Sequence, residues 1–313
     1  MPVAGERMAV VEVSTVVPPQ GPNQGDVHVV SWSLGEAKQT SSSSSPPSSG
    51  AAVVMLHGFT QTNHSFVDAA PLLLADMPRG TKVHSVSLRG HGKSAWTETY
   101  TRHEMAADVV RAVDDLGVGS FFLVGMSLGA SISVEVASML GKRVKSLVLV
   151  DWAPIDSLEG MLPRGVEAIL ALFARRWDTF EEAVQEMHAF NPRRSIDNIR
   201  DRLRHQLQLA HEDGKEVYRW ATDPKLIESL AADAGRSQWD TVRKLSVPCL
   251  LVRGAMSDVL SPERAKQLVD AIPGCKFAEV SGAGHSVAGD NPRGFAEVVA
   301  PFFAAAAPPG AGL

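Results

Sequence analysis

The chain has few of the features that stabilise or locate a protein by special chemistry. Only two cysteines, Cys249 and Cys275, occur in 313 residues, and neither stands in a CxxC or zinc-ligand spacing. A disulfide framework is thereby excluded, and two buried thiols in a reducing compartment are expected near the C-terminus, where both cysteines open apolar, strand-like runs. No apolar run approaches the roughly 18 residues of a membrane span, and Met1-Pro2-Val3-Ala4-Gly5-Glu6-Arg7 lacks the basic start and apolar stretch of a secretory signal. A cytoplasmic protein without a membrane span is expected. There is no basic excess: the net charge of −5 argues against a nucleic-acid partner. A phosphate-binding glycine loop is missing too, and Gly282-Ala283-Gly284 has neither the spacing nor the helix of a dinucleotide fingerprint. No cofactor and no metal are expected. Nothing in the sequence sets an oligomeric state.

What is present is an ordinary globular composition, 44% hydrophobic and 21% charged, in a chain long enough to bury a large core. Residues 8–17 and 26–34 are valine-rich and strand-like, separated by a turn-forming Pro/Gly/Asn cluster. From Gln39 to Gly50 the chain is almost wholly serine and proline, which reads as a disordered loop insertion. Apolar runs at 51–56, 82–88, 120–125 and 145–150 then alternate with helix-like stretches at 65–76, 103–116 and 128–140, the pattern of βαβ units and a mainly parallel sheet. The alternation stops after Asp151 and resumes at Val247.

The intervening 155–240 reads as helices only. Val166, Ile169, Leu170 and Phe173 share one face, and Ile196, Ile199, Leu203 and Leu207 another. Arg200, Asp201, Arg202 and Arg204 fall off the second stripe and read as a solvated polar face rather than an anion site. Pro224 opens a short helix over about 224–233. Strands at 247–252 and 276–280, each followed by a helix starting near Pro262 or Pro292, close the pattern, and the tail from Ala304 is frayed.

The chemistry gathers at strand ends. Gly125-Met126-Ser127-Leu128-Gly129 follows the apolar run 121–124 and precedes a helix. A nucleophile raised above a sheet edge needs such a sharp turn, with small residues two positions to either side. Ser127 is the candidate nucleophile. A serine hydroxyl needs a base, and of ten histidines His285 is best placed, in the glycine loop after the last strand. The base needs a carboxylate to orient it. Asp258, after the penultimate strand, gives the order Ser127, Asp258, His285 and is preferred. Asp151 competes for the role, because it ends the strand 145–150 at the same edge. Oxyanion donors are expected from the backbone N–H of Leu128 and of Phe59, in the His57-Gly58-Phe59-Thr60 loop after the first core strand; His57 reads as structural.

Taken together, His57-Gly58-Phe59, Arg89-Gly90-His91-Gly92-Lys93-Ser94, Gly125–Gly129 and the Asp258/His285 pair resemble the capped serine hydrolases of the α/β-hydrolase superfamily over residues 51–290. The resemblance implies an eight-stranded, mostly parallel sheet flanked by helices, formed by 1–154 and 241–313, with 155–240 as a helical cap inserted after the sixth core strand. It also places the serine-rich insertion on the edge away from the site. Ser87 stands where many relatives carry an acidic residue, at a position that reads as structural.

Trp152, Trp96 and Met126 are candidate pocket residues in that layout, with Phe173, Trp177 and Trp220 among the cap aromatics. The expected function is hydrolysis of an ester or lactone of an apolar small molecule through an acyl-enzyme. Cleavage of a C–C or amide bond by the same triad, or a receptor of the same fold with little turnover, are the alternatives.

Overall fold

A computed structural model describes residues 9–21, 23–35, 51–154, 171, 173–234 and 236–306. The serine-rich segment Gln39–Gly50, the apolar face Val166, Ile169 and Leu170, and the tail beyond 306 lie outside the described residues. Among the described residues there are ten strands: β1 (Ala9–Val17), β2 (Val27–Gly35), β3 (Ala52–Leu56), β4 (Lys82–Val86), β5 (Phe121–Met126), β6 (Val144–Val150), β7 (Leu207–Glu212), β8 (Lys215–Trp220), β9 (Cys249–Gly254) and β10 (Lys276–Val280). Eight form one sheet in the order β1-β2-β4-β3-β5-β6-β9-β10. β1 and β2, and β2 and β4, pair antiparallel; every other neighbour in it is parallel. This is the α/β-hydrolase fold.

The central strands β3 and β5 are apolar throughout because both faces of the sheet are covered there. Along β3, Val54 and Leu56 join the core on one side, while Val53 and Met55 join the core on the other. β5 divides likewise, with Phe121 and Leu123 opposed to Phe122 and Val124. The first core is covered by α2 (Arg102–Asp115), α3 (Leu128–Leu140), the short α7 (Trp239–Arg243) and α8 (Pro262–Ala271). The second is covered by α1 (Ala69–Ala75), the short α9 (Val287–Asp290) and α10 (Pro292–Ala306). Thr101 and Glu104 form a reciprocal capping box at the start of α2, and Ser261 caps α8 ahead of Pro262. Cys249 and Cys275 stand at the feet of adjacent strands as free thiols, and burial pushes them up to about 12 and about 11. No helix among the described residues is long and apolar enough to cross a membrane.

Between β6 and β9 the chain leaves the sheet. α4 (Phe180–Phe190) and α5 (Ile196–Gln206) are followed by an antiparallel hairpin, β7–β8, and then α6 (Lys225–Ala234). The helices-only expectation for 155–240 is corrected by that hairpin. Its turn is Asp213-Gly214, with φ of 49° and 78°, the positive values that a two-residue hairpin turn requires and that Asp-Gly accepts. Phe173, Trp177, Ile199, Leu203 and Trp220 form a separate apolar cluster there. Trp177 and Trp220 meet edge to face at 5.7 Å.

The seam between this insertion and the sheet domain is built from side chains and short backbone pairings. Phe59 stacks on Phe173 at 5.7 Å, and the rings of His64 and His205 lie parallel, 3.5 Å apart. Arg202 is buried and reaches across to the Ser65 carbonyl (2.9 Å) and Asp68 (3.1 Å). The solvated reading of this arginine is therefore corrected, whereas Arg200 and Arg204 do pair with carboxylates at the surface. Arg202 takes its place because it is three residues from Ile199, on the buried side of α5.

Candidate active site

Ser127 sits between β5 and α3 with φ 53° and ψ −114°, a conformation that costs a non-glycine residue about 1–3 kcal/mol. The surrounding chain holds it there. Its N–H donates to the Val150 carbonyl on β6 (3.0 Å), and its own carbonyl accepts from Ala130 (2.9 Å) and Ser131 (3.2 Å). A Cβ on Gly125 would strike Ser133 and the Gly129 carbonyl; one on Gly129 would strike the Leu56 carbonyl. Glycine at both positions lets α3 press against β3 and β5, so the turn is sharp and Ser127 stays only half-buried at its apex.

His285 lies in the loop after β10, and its Nδ1 is 2.7 Å from Asp151 Oδ2. Asp151 is fully buried at the end of β6, with φ 49°. Its other partners are the Gly254 N–H, donating to Oδ1 (3.1 Å), and the Ser257 hydroxyl, donating to Oδ2 (2.6 Å). A carboxylate out of water requires such partners, and here each of its oxygens has one or more. An imidazole nitrogen facing a carboxylate carries the proton, which leaves Nε2 as the free acceptor.

Asp258 is not at this position. It is exposed and forms no hydrogen bond or ion pair with His285. The reason is local. The turn after β9 closes with the Ser257 N–H on the Gly254 carbonyl (2.9 Å), which aims Ser257 inward at Asp151. Ser257 Oγ also accepts from the N–H groups of Val259 and Leu260, so the next side chain, Asp258, faces solvent. The preference for Asp258 as the partner of His285 is thus corrected in favour of Asp151.

Ser127 and Asp151 end neighbouring strands whose residues Met126 and Val150 are in register. His285 is joined to Asp151, and the next residue, Ser286, points its hydroxyl at Met126 Sδ (4.0 Å). The histidine loop is therefore tied to the end of β6, at Asp151, and to the residue before Ser127.

A third loop, after β3, covers the turn. A Cβ on Gly58 would lie 2.7 Å from Met126 Cε and 3.4 Å from Ser127 Cβ, so this loop packs directly on the serine turn. The first-turn N–H of Leu128 and the N–H of Phe59 have no acceptor among the described residues. His57 is fully buried: its Nε2 accepts the Leu88 N–H (3.0 Å), and its Nδ1 donates to the Gly58 carbonyl (2.8 Å). Burial and the neighbouring His91 ring hold His57 well below the usual histidine range, so it is a neutral strut. Sequence reasoning passed over Gln61, whose amide accepts from the Gly58 N–H and donates to Ser286 Oγ, both at 3.3 Å. It also passed over Ser257. Neither residue type announces such a role; both act through contacts between loops far apart in the chain.

Of the pocket candidates, Met126 is buried under Gly58, and Trp152, next to Asp151, is nine-tenths buried in the core that includes Leu128. Trp96 is exposed, with the Arg219 guanidinium over its ring at 5.3 Å. Among the described residues no cluster of three or more His, Cys, Asp or Glu could hold a metal.

A sheet of this order, with a strained serine on its central turn and a histidine–carboxylate pair beside it, defines a hydrolase-fold protein. Residues 53–298 match the model of the alpha/beta hydrolase family, and the chain belongs to that family and is a hydrolase. Among its relatives is an esterase of Mycobacterium tuberculosis, 30% identical over 256 residues, which cover 79% of this chain and 80% of the relative. A crystal structure of that esterase superposes with a TM-score of 0.67 at 25% identity, covering 96% and 93% of the two chains. The structure of an E-2-(acetamidomethylene)succinate hydrolase superposes with a TM-score of 0.75 at 24% identity, covering 94% and 100%, a likeness of fold.

Proposed function

We propose that the protein is a serine hydrolase that cleaves a carboxylic ester or lactone of a small molecule through an acyl-enzyme, with Ser127 as nucleophile, His285 as base and Asp151 as its orienting carboxylate. The observation that carries this reading is the 2.7 Å contact of His285 Nδ1 with buried Asp151, beside the strained Ser127 turn. With Nδ1–H committed to Asp151, Nε2 takes the proton of Ser127 Oγ as that oxygen attacks the carbonyl. The negative charge on the tetrahedral intermediate falls to the N–H groups of Leu128 and Phe59, a contribution of about 3–4 kcal/mol per donor. The imidazolium then returns its proton to the leaving alkoxide. In the second half His285 activates a water that releases the acid from Ser127. The insertion acts as a cap whose Phe173 packs on Phe59 and sets the apolar side of the pocket.

Supporting the ester reading is the relative named an esterase. The test is turnover on a panel of esters, lactones, amides and ring-cleavage products by the wild type and Ser127→Ala. Multiple turnovers on esters, lowered by a factor on the order of 10⁴ or more in the variant, are expected. Equal turnover by the variant would sink the assignment, and single-turnover processing would favour a receptor.

A further inference from the structure

The loop that carries His285 has glycine at 282 and 284, with Gly282 at φ 68°. A chain of that kind does not hold a side chain by its own stiffness. The contact of Nδ1 with Asp151 fixes one ring atom, and the aim of Nε2 also depends on how the backbone to either side is held. Both flanks are met by one ion pair. Asp290 ends α9, five residues after His285, and its Oδ2 accepts the N–H of Gly284, the residue before the histidine (2.9 Å). Its Oδ1 accepts Arg194 Nε (2.7 Å), and Arg194 Nη2 reaches the carbonyl of Ser286, the residue after it (3.5 Å).

One half of this pair belongs to the insertion. Arg194 lies in the turn between α4 and α5, which closes with the Arg194 N–H on the Asn191 carbonyl (3.3 Å), and Asn191 Nδ2 also donates to Asp290 Oδ1 (3.1 Å). The other ties on the loop, Gln61 to Ser286 Oγ and Asn291 to the Ser281 carbonyl, come from the sheet domain. Only 1% of the Asp290 side chain and 13% of the Arg194 side chain are exposed. A carboxylate so buried needs its donors, and without the arginine it would keep neutral ones alone. The neighbouring seam pair, Arg202 with Asp68, has no printed bond to residues 281–286 and leaves its carboxylate 40% exposed.

Resting on the serine-hydrolase reading, we propose that Arg194 and Asp290 are positioning residues for His285, so that docking of the insertion sets the base in place. The pair acts through the backbone. With the Gly284 N–H and the Ser286 carbonyl held, the imidazole keeps Nδ1 on Asp151. Released, the glycine loop gains freedom and the base spends less time in its working position, which lowers kcat and leaves KM little changed.

The test measures kcat and KM on p-nitrophenyl acetate in wild type, Arg194→Ala, Arg194→Lys, Asp290→Asn and Asp68→Asn. Beside it, proton NMR follows the far-downfield resonance of the Nδ1–H that His285 donates to Asp151, and circular dichroism checks the fold. Asp68→Asn breaks the other ion pair of the seam and controls for loose docking. Arg194→Ala and Asp290→Asn should lower kcat roughly tenfold to a hundredfold, with KM within about twofold, and should broaden or remove the resonance. Arg194→Lys, which keeps the charge, should recover part of both. Asp68→Asn should leave both near the wild type. An intact resonance with kcat within about twofold of the wild type, in folded Arg194→Ala or Asp290→Asn, overturns the proposal. So does an equal loss in Asp68→Asn. Should Arg194→Ala not fold, Asp290→Asn, with a side chain of the same shape, decides. Should the wild type hydrolyse no ester, the serine-hydrolase reading fails, and the resonance in the same variants still decides whether the pair positions His285.

Discussion

The sheet edge that carries Ser127 and the seam where the insertion meets the sheet are held by different forces. At the edge the determinants are mainly main-chain: a positive φ at Ser127 and at Asp151, bare Cα atoms at Gly58, Gly125 and Gly129, and N–H groups spent on strand carbonyls. At the seam they are side-chain and electrostatic: a stacked histidine pair, Arg202 on Asp68, Arg194 on Asp290. The first kind is indifferent to acid and salt so long as the sheet is folded. The second kind responds to both, since its groups titrate or are screened. The edge is thus set by main-chain geometry, and the seam is the part that answers to pH and ionic strength.

The largest expected effect tests the edge. Asp151→Asn keeps the shape of the side chain but cannot hold the His285 proton on Nδ1, so kcat should fall by about 10³–10⁴ with the fold intact. A loss under tenfold, measured by steady-state kinetics beside a circular dichroism spectrum, would show that the edge does not depend on this carboxylate.

Acid should find the seam next. Burial, with His205 and Lys93 nearby, lowers His64 to about 4, and burial lowers His205 as well. Also facing the pair are Glu12, whose carboxylate is 3.8 Å from His64 Nε2, Asn63 on Nδ1, and Asp201 and Arg204 beside His205. Both histidines are neutral in the folded protein and bind protons more readily when unfolded. Their contribution is therefore intact above about pH 6.5 and is lost as pH falls toward 4. His84 and His91, each lowered to about 4, add to the same acid limb from within the sheet domain. His205→Phe keeps a ring on His64 and removes one proton site. Its melting temperature, scanned from pH 7.5 to 4.5, should fall less than that of the wild type. An identical slope would mean that the stack does not couple seam stability to acid.

The smallest effect is expected at Asp258. Being exposed and turned away from His285, it should tolerate Asp258→Asn with kcat within about twofold. A loss comparable to that of Asp151→Asn would break the contrast between the two turns.

Much of the edge was legible before any coordinates. Ser127, the glycines around it and the His57-Gly58-Phe59 loop are local signals: each motif states its own backbone requirement within five or six residues. The α3 boundaries, 128–140, were read without error for the same reason. The seam was not legible. Asp213-Gly214 was a local hairpin signal that helical periodicity to either side masked. Arg202 looked like one more surface charge because its partner, Asp68, is 134 residues away.

The sequence by itself determined that this chain forms a mostly parallel sheet covered on both faces, with a serine on its central turn, because continuous apolar runs and close-approach glycines act within one strand or one turn. Only the tertiary structure decided which aspartate meets His285. Asp151 and Asp258 both follow strands at the same edge, and their difference lies in how β6 and β9 pair, with the Asp151 N–H on the Val252 carbonyl and Ser257 turned inward. A choice made by the pairing of two strands a hundred residues apart has no counterpart in either local sequence.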